Sequence, residues 1–332
     1  MNRIEILEIG ERVDAEQAGA GAGSTGSHVK FQDMDVTADG SPRASVDPRQ
    51  LETLWINTGS LCNLSCENCY IESTPTNDRL SYISLSETKA LLDEIASEQF
   101  TTTEIGFTGG EPFLNPDFMN ILRLCLERGF KVLVLSNGMK TLLREQEALQ
   151  QLHEKFGAAL AIRISLDHYE ESTHALERGV RSWKPAIQSL RWMSDAGLNF
   201  TVAGRTMWNE DEAAMREGYA ALFAREGVAL DALSPEHLVL FPEMDDGAEL
   251  PEITTACWNI LNKDPASIMC ASSRMVVKHK GDDHLSVQAC TLLPYDQRFN
   301  MGSTLKEAWR RVKLNHPHCA KFCVLGGGSC SG

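Results

Sequence analysis

Short apolar runs alternate with longer segments of helical periodicity between residues 52 and 241. The runs predict six β-strands, at residues 53–57, 104–108, 131–136, 159–166, 199–204 and 237–240. The segments between them predict helices at residues 86–98, 116–128, 141–155, 185–196 and 210–226. Because strands that alternate with helices form right-handed βαβ units, the pattern predicts an α/β fold with a parallel sheet.

The number of strand–helix units restricts the possible fold architectures. Six strand–helix units are fewer than the eight of a closed (β/α)8 barrel. A partial (β/α)6 TIM-like barrel and an open doubly wound sheet both fit this number. In either architecture, ligand sites gather at the carboxyl ends of the strands.

The chain of 332 residues divides into three regions by its sequence pattern. Residues 1–50 include the stretch AGAGAGSTGS, which predicts a flexible arm, with a short strand at 4–9. Residues 51–250 contain the strand–helix alternation. Residues 251–332 hold six of the ten cysteines and a turn signal at Gly281-Asp282, and they predict a small cysteine-rich α+β extension with a hairpin. Short helices are expected at 251–261 and 304–314, followed by a cysteine-rich loop.

Charge and hydropathy indicate which partners to expect. The formal net charge of −15 argues against a broad surface for nucleic acid or for an anionic membrane. No run of about 18 apolar residues predicts a membrane span. The first residues lack the apolar region of a signal peptide, so we expect a cytoplasmic protein whose cysteines are reduced and partly serve as metal ligands.

Cys62, Cys66 and Cys69 form a C-x3-C-x2-C set directly after the first predicted strand. Zinc sites and iron–sulfur clusters usually take four protein ligands. Either a fourth ligand comes from a distant segment, or one metal position stays open, which is what catalysis requires. A local zinc knuckle is the structural alternative.

This cysteine set, with Tyr70 beside it, resembles the signature of the radical S-adenosylmethionine (radical SAM) superfamily. The resemblance covers about residues 52–330. It implies that the three cysteines hold a [4Fe-4S] cluster whose remaining iron binds the methionine part of S-adenosylmethionine. It further implies reductive cleavage of that cofactor to a 5′-deoxyadenosyl radical, which removes a hydrogen from a substrate.

The ends of the second and third strands carry turns that are similar to turns of this family. The resemblance implies contacts with the methionine amino group by the GGEP motif, which consists of Gly109, Gly110, Glu111 and Pro112. Ser136-Asn137-Gly138 is similar to a family turn near the cofactor, although an ordinary left-handed turn at Asn-Gly explains it equally well.

The fourth and fifth strands end in charged residues. Arg163 and Ser165 alternate along one strand, so both are expected to point into the barrel. Arg163 and Arg205 are candidates for gripping the cofactor carboxylate, and Ser165 is a candidate for its ribose or methionine end. Asp167 is the candidate substrate contact. His168 and His174 are read as solvated loop residues, with a contact to the substrate as the open alternative.

The cysteines after residue 250 resemble the ligands of a SPASM or twitch extension, which binds auxiliary iron–sulfur clusters. The expected ligands of one auxiliary cluster are Cys270, Cys290, Cys319 and Cys323, with Cys257 and Cys330 as alternates. Structural zinc at the same residues, with help from His316 and His318, is an open alternative. Cys125 lies in a predicted helix and is expected to be a buried packing residue.

The sequence leaves the substrate open between a small molecule and a peptide. Activation of another enzyme is a further alternative. The resemblance also implies an electron donor such as flavodoxin or ferredoxin. A different class of function, a non-catalytic iron–sulfur or zinc protein, is disfavoured because such a protein has no need of the Gly109-Gly110-Glu111 turn.

Overall fold

The computed structural model describes residues 29–206, 208, 210–242 and 249–328. These residues fall into two compact units. The larger unit contains the described residues of 50–241 and 273–308, and the smaller one contains those of 1–49, 242–272 and 309–332. The predicted boundaries at residues 50 and 250 differ from this division and stay a prediction.

Ten strands are present in the described residues: β1 (Ser45–Val46), β2 (Thr53–Asn57), β3 (Glu104–Thr108), β4 (Lys131–Ser136), β5 (Leu160–Ser165), β6 (Phe200–Thr206), β7 (Leu238–Pro242), β8 (Ser273–Val277), β9 (Ser286–Gln288) and β10 (Val312–Lys313). Eight of them form one sheet in the order β7-β6-β5-β4-β3-β2-β8-β9. Strands β2 to β6 pair in parallel, β8 is parallel to β2, and β9 is antiparallel to β8. The predicted α/β class with a mostly parallel sheet is confirmed.

The two faces of the sheet differ in composition, as the register shows. One face carries apolar side chains that are fully buried, such as Ile56, Phe107 and Val134. The other face mixes apolar residues with polar ones, including Arg163 and Ser165 on β5. Because Arg163 and Ser165 lie toward the carboxyl end of β5, this second face is the one suited to a ligand.

Nine α-helices occur in the described residues: α1 (Leu85–Ser97), α2 (Phe118–Glu127), α3 (Lys140–Leu143), α4 (Gln146–Phe156), α5 (Glu171–Arg178), α6 (Trp183–Asp195), α7 (Glu212–Glu226), α8 (Cys257–Ile260) and α9 (Leu305–Ala308). The five helices predicted between the strands are present, the third of them broken into α3 and α4. Helix α5 was not predicted. Cys125 is fully buried in α2, as expected.

Beyond residue 250 the structure departs from the expected helices. The predicted hairpin is present as β8 and β9. The helix expected at 251–261 is limited to Cys257–Ile260, and the one expected at 304–314 is limited to Leu305–Ala308. The last cysteine-rich stretch, expected to be a loop, contains a π-helix at Cys319–Leu325. None of the described helices combines the length and the apolar composition that crossing a membrane requires.

In the smaller unit, residues 29–49 are packed rather than loose. Strand β1 pairs with β10, and the Arg43 guanidinium forms a buried ion pair with Glu252 at 2.6 Å. The Glu252 carboxylate also accepts hydrogen bonds from the backbone N–H groups of Phe31 and Ala38. These long-range contacts order a segment whose composition alone favours flexibility. The low-complexity stretch and the strand expected at 4–9 lie outside the described residues.

Candidate functional site

The segments that follow β2, β3, β4, β5 and β6 all begin at the carboxyl edge of the sheet, because these strands run in parallel. The segment after β2 contains the cysteine loop, which we define as residues 61–73. The segments after β3 and β4 contain the Gly109-Gly110-Glu111 turn and the Ser136-Asn137-Gly138 turn. The motifs predicted from sequence are therefore placed along one edge.

The cysteine loop directs N–H groups at its sulfur atoms. The backbone N–H of Leu64 lies 3.4 Å from Cys62 Sγ, and that of Ser73 lies 3.3 Å from Cys69 Sγ. Hydrogen bonds of this kind tune metal-bound thiolates. Burial raises the pKa of the Cys62 thiol to about 12, so a metal centre has to offset the cost of forming the buried thiolate.

The Gly109-Gly110-Glu111 turn packs directly on the start of the cysteine loop. The Gly110 N–H donates to the Gly59 carbonyl at 2.8 Å, and the Glu111 N–H donates to the Leu61 carbonyl at 3.2 Å. A Cβ atom on Gly110 would lie 2.0 Å from the Leu61 carbonyl oxygen, so only glycine fits there. Gly109 has φ +131°, a conformation that also favours glycine. The close approach that the sequence predicted toward a ligand is, in the structure, an approach to the neighbouring loop.

Glu111 joins this turn to the one after β4. Its carboxylate is buried and accepts hydrogen bonds from Ser136 Oγ and from the Asn137 backbone N–H, both at 2.9 Å. The Asn137 side-chain amide in turn donates to Asn63 Oδ1 at 2.7 Å and to Cys62 Sγ at 3.6 Å. Burial raises the pKa of Glu111 to about 7. The two turns and the first cysteine thus form one connected hydrogen-bond network.

A second network holds the middle of the cysteine loop. The buried Glu177 carboxylate, on α5, accepts from the Asn68 backbone N–H at 2.8 Å and from its side-chain amide at 2.9 Å. Arg205, on β6, donates to Glu177 at 3.1 Å and to the Asn68 carbonyl at 2.7 Å. Its guanidinium also lies over the Tyr70 ring, 4.6 Å from the centroid. The structure therefore brings Arg205 to Tyr70 and to the loop that carries the cysteines.

Asp167 is part of the same network. Arg178 grips its buried carboxylate through Nε at 2.5 Å and Nη2 at 3.0 Å, and Arg205 Nε lies 3.6 Å from it. Burial disfavours the ionised carboxylate, but the charges of Arg178 and Arg205 outweigh that effect and lower the pKa of Asp167. In this structure the Asp167 carboxylate forms ion pairs with two arginines, and its contact with a substrate stays a prediction.

His168 and His174 are both fully buried, in contrast to the expectation of solvated loop residues. His168 Nε2 lies 3.0 Å from Glu210, whose carboxylate also accepts from the Tyr169 hydroxyl at 2.9 Å. His174 Nδ1 accepts from the Asp167 backbone N–H at 3.3 Å. The two histidines after β5 are buried because each has a polar partner there, Glu210 for His168 and the Asp167 N–H for His174.

On the part of the ligand-facing side that β2 forms, two polar groups are buried without a hydrogen-bond partner among the described residues. They are the Trp55 indole N–H and the Asn57 side-chain amide nitrogen, both on β2. The register places Trp55 and Asn57 on the face that carries Arg163 and Ser165. Buried donors of this kind are usually paired, so they mark a place where a bound group would complete the site.

The C-terminal cysteines are divided between the two units. Cys257, Cys270, Cys319 and Cys323 belong to the smaller unit, and Cys290 belongs to the larger one. Cys330 lies outside the described residues. Across the described ranges, no three His, Cys, Asp or Glu side chains are grouped in a way that would hold a metal ion. This holds for Cys62, Cys66 and Cys69 as well, so both ligand sets stay predictions.

Sequence reasoning missed the residues that support the cysteine loop. Asn57, Asn68, Glu177 and Arg178 were not singled out, although each is a polar residue near a strand end or a motif. For Asn57 a signal was available, since an asparagine that ends an otherwise apolar strand requires a partner. For Glu177 and Arg178 no local signal was used, because they lie on a helix that the sequence pattern did not predict.

Comparison with known proteins places residues 56–218 in a match to the model of the Radical SAM superfamily. The antilisterial bacteriocin subtilosin biosynthesis protein AlbA of Bacillus subtilis (strain 168) is 31% identical over 160 residues, which are 47% of this chain and 34% of AlbA. The AdoMet-dependent heme synthase of Nitratidesulfovibrio vulgaris is 26% identical over 183 residues, covering 53% of this chain and 44% of the synthase. The chain thus matches less than half the length of these relatives.

Solved structures share the fold. Streptococcus suis SuiB bound to S-adenosylmethionine is similar with a TM-score of 0.55 at 14% identity, over 79% of this chain and 65% of SuiB. SuiB bound to precursor peptide SuiA gives a TM-score of 0.56 at 12% identity, over 92% of this chain and 76% of SuiB. At these identities the likeness establishes an α/β fold with a mostly parallel central sheet.

Proposed function

Because the chain belongs to the radical SAM superfamily, we propose that it is an enzyme that binds a [4Fe-4S] cluster and S-adenosylmethionine. One observation carries the proposal: three motifs that are distant in sequence are joined by direct contacts at one edge of the sheet. Gly110 packs on Leu61, Glu111 holds Asn137, and the Asn137 amide reaches Cys62 Sγ. A merely structural turn has no need of such a connection to a cysteine.

Cys62, Cys66 and Cys69 would hold the cluster. Their fit to it rests on the thiolate donor set and on the N–H groups that Leu64, Ser73 and Asn137 direct at the sulfur atoms. When bound and reduced, the cluster supplies the electron that cleaves S-adenosylmethionine into methionine and the 5′-deoxyadenosyl radical, which removes a substrate hydrogen.

The chain's own polar groups would bind and orient the cofactor. We assign the amino group of the methionine part to the Gly109-Gly110-Glu111 turn, where a carboxylate pairs with an ammonium. Arg163 and Ser165 lie on the ligand-facing side of β5 and suit the carboxylate and the ribose. The unpartnered donors of Trp55 and Asn57 on the same side support a ligand there. Arg205 supports the cysteine loop from outside, and Tyr70 is the loop residue whose ring lies under the Arg205 guanidinium.

The test compares the triple variant Cys62→Ala/Cys66→Ala/Cys69→Ala with Cys125→Ala as a matched control. Each protein is reconstituted anaerobically and incubated with dithionite and S-adenosylmethionine. We expect the triple variant to lose about four irons per chain and all 5′-deoxyadenosine formation, while the control keeps both. Retention of 5′-deoxyadenosine formation by the triple variant would disprove the proposal.

For the substrate we propose a peptide. Support comes from AlbA, whose name places it in bacteriocin biosynthesis, and from SuiB, which was solved with a precursor peptide. The similarity to an AdoMet-dependent heme synthase favours a small molecule as the second candidate. Incubation with short peptides encoded near its gene, and separately with porphyrins, followed by mass spectrometry, distinguishes the two. A mass change confined to the porphyrins would refute the peptide.

We also propose one auxiliary iron–sulfur cluster, with ligands from Cys270, Cys290, Cys319 and Cys323 and with Cys257 or Cys330 as alternates. The triple variant described above tests it, because any iron that remains belongs to a second centre. About four irons per chain are expected to remain. One zinc and no iron would instead identify a zinc-stabilised extension.

A reductive reaction requires a source of electrons. We propose a flavodoxin or ferredoxin as the donor and the cytoplasm as the compartment, because thiols remain reduced there.

A further inference from the structure

Two large apolar side chains near the cysteine loop are exposed to solvent. Leu176 on α5 is 74% exposed and Val180, just after that helix, is 80% exposed, more than any other large apolar residue described. Arg181 and Lys184 follow them, are also exposed, and form no ion pair with a described residue. We call these four residues the α5 patch. Exposed apolar groups flanked by charges are typical of interaction sites.

The α5 patch borders the segment between the second and third cysteines. Glu177, the neighbour of Leu176, binds that segment through both its backbone and its side chain. The Glu177 carbonyl accepts from the Glu67 N–H at 3.0 Å, and its carboxylate accepts twice from Asn68. Glu67 and Asn68 are themselves exposed. A protein bound to the patch would therefore contact the loop that carries the cysteines.

We propose that the α5 patch is the docking site for an acidic electron-carrier protein that reduces the cluster, an inference that rests on the proposed function. In this step the carrier loses one electron, the cluster held by Cys62, Cys66 and Cys69 gains it, and no atom is transferred.

Charge and size argue for this occupant. The chain carries a net charge of −15, so an acidic partner is repelled by most of its surface, and unpaired Arg181 and Lys184 supply a local attraction. Encounters in electron transfer bury little area, so two apolar side chains with a charged rim are enough. The neighbouring acid Glu67 belongs to the cysteine loop and is not one of the four residues of the α5 patch.

The experiment uses two separate variants of the full chain, Leu176→Ser/Val180→Ser and Arg181→Glu/Lys184→Glu. The rate of 5′-deoxyadenosine formation is measured against the concentration of an acidic flavodoxin that is kept reduced by its reductase. We expect each variant to lose about tenfold or more in kcat/KM for the flavodoxin, with an unchanged rate when dithionite is the reductant. The control variant Lys131→Glu/Leu233→Ser changes one exposed cation and one exposed leucine at the opposite ends of the strands, and it should match the wild type.

Several results would overturn the proposal. The first is an unchanged kcat/KM for flavodoxin in both variants. A second is an equal loss with dithionite, which would mean that the patch acts on the cluster itself. A third is a change from dimer to monomer in light scattering with flavodoxin kinetics intact, which would assign the patch to a second copy of the chain.

If the wild type forms no 5′-deoxyadenosine with either reductant, the proposed function has failed. Binding of oxidised flavodoxin to wild type and variants, measured by biolayer interferometry, then still decides the docking site.

Discussion

At the scale of single residues, buried charges around the cysteine loop are paired with partners from other segments. Glu177 is the clearest case, since its partners Asn68 and Arg205 are more than 25 positions away in sequence. Removing one member of a buried ion pair leaves an uncompensated charge, which costs more than the pair itself contributes. Residues that never touch the cofactor can therefore decide whether the loop keeps its shape.

We expect Glu177→Ala to lower the free energy of unfolding by about 3 kcal/mol. The variant removes the carboxylate that pairs with the buried Arg205 guanidinium and that accepts from the Asn68 backbone N–H. The same variant should bind less iron after anaerobic reconstitution. Urea unfolding and iron analysis measure both effects. Glu171→Ala, which changes an exposed acid on the same helix, should alter neither. Full iron binding by Glu177→Ala would contradict a role in holding the loop.

His174 makes stability depend on pH. Burial and the nearby Arg178 charge lower its pKa from the usual 6.5 to about 4. A histidine with a depressed pKa is neutral when folded, whereas the unfolded chain takes up a proton below pH 6.5. The contribution of His174 to the free energy of unfolding is therefore fully present above pH 6.5. It is lost as the pH falls toward 4, which lowers the free energy of unfolding by about 3 kcal/mol.

The variant His174→Asn removes this titration while its amide oxygen replaces Nδ1 as the acceptor for the Asp167 N–H. Free energies of unfolding measured between pH 4 and 6.5 should rise with pH in the wild type and change less in the variant. Replacing the exposed His284 by Asn should leave the wild-type slope in place. An identical slope in His174→Asn would rule out this histidine as the source.

At the scale of elements, strands were predictable and one helix was not. Strands β2, β3 and β4 have the predicted bounds because both their faces are largely buried and their apolar runs end abruptly. Helix α5 buries His174 and Glu177 and exposes Leu176, the reverse of the usual pattern. Its partners are polar groups of other segments, and no local rule reveals them.

Helix α1 offers a test of where a helix begins. The sequence pattern predicts that this helix begins at residue 86. The structure shows a capping box in which the side chains of Ser84 and Glu87 each accept a hydrogen bond from the other residue's backbone N–H. We expect Ser84→Ala to lower the free energy of unfolding by about 1 kcal/mol. Ser86→Ala, one turn position further on, should cost no more than a few tenths of a kcal/mol. Chemical denaturation of both variants decides between the two starts.

At the scale of the whole molecule, the smaller unit escaped prediction because it is assembled from separate parts of the chain. Residues 29–49 read as flexible by composition, yet they pair with residues near 252 and 312. Local patterns describe neighbours in sequence, whereas this unit depends on contacts between residues more than 200 positions apart. By contrast, the edge of the sheet that carries the site followed from strand order alone.

The Arg43–Glu252 pair is expected to be essential to the smaller unit. Both side chains are almost fully buried, so Arg43→Met leaves a buried carboxylate without its cation and should cost about 3 to 5 kcal/mol. Arg311→Met breaks the exposed pair with Asp47 in the same unit and should change the unfolding temperature far less. Thermal unfolding of the two variants measures the difference, and similar losses would show that burial does not decide it.

Several contacts that hold the cysteine loop come from other segments of the protein. Gly110 is pressed on Leu61, the Asn137 amide reaches Cys62, and Glu177 grips Asn68. We therefore expect the loop to keep these contacts when a bound cluster is lost to oxygen. Repair would then call for iron and sulfide without refolding of the chain.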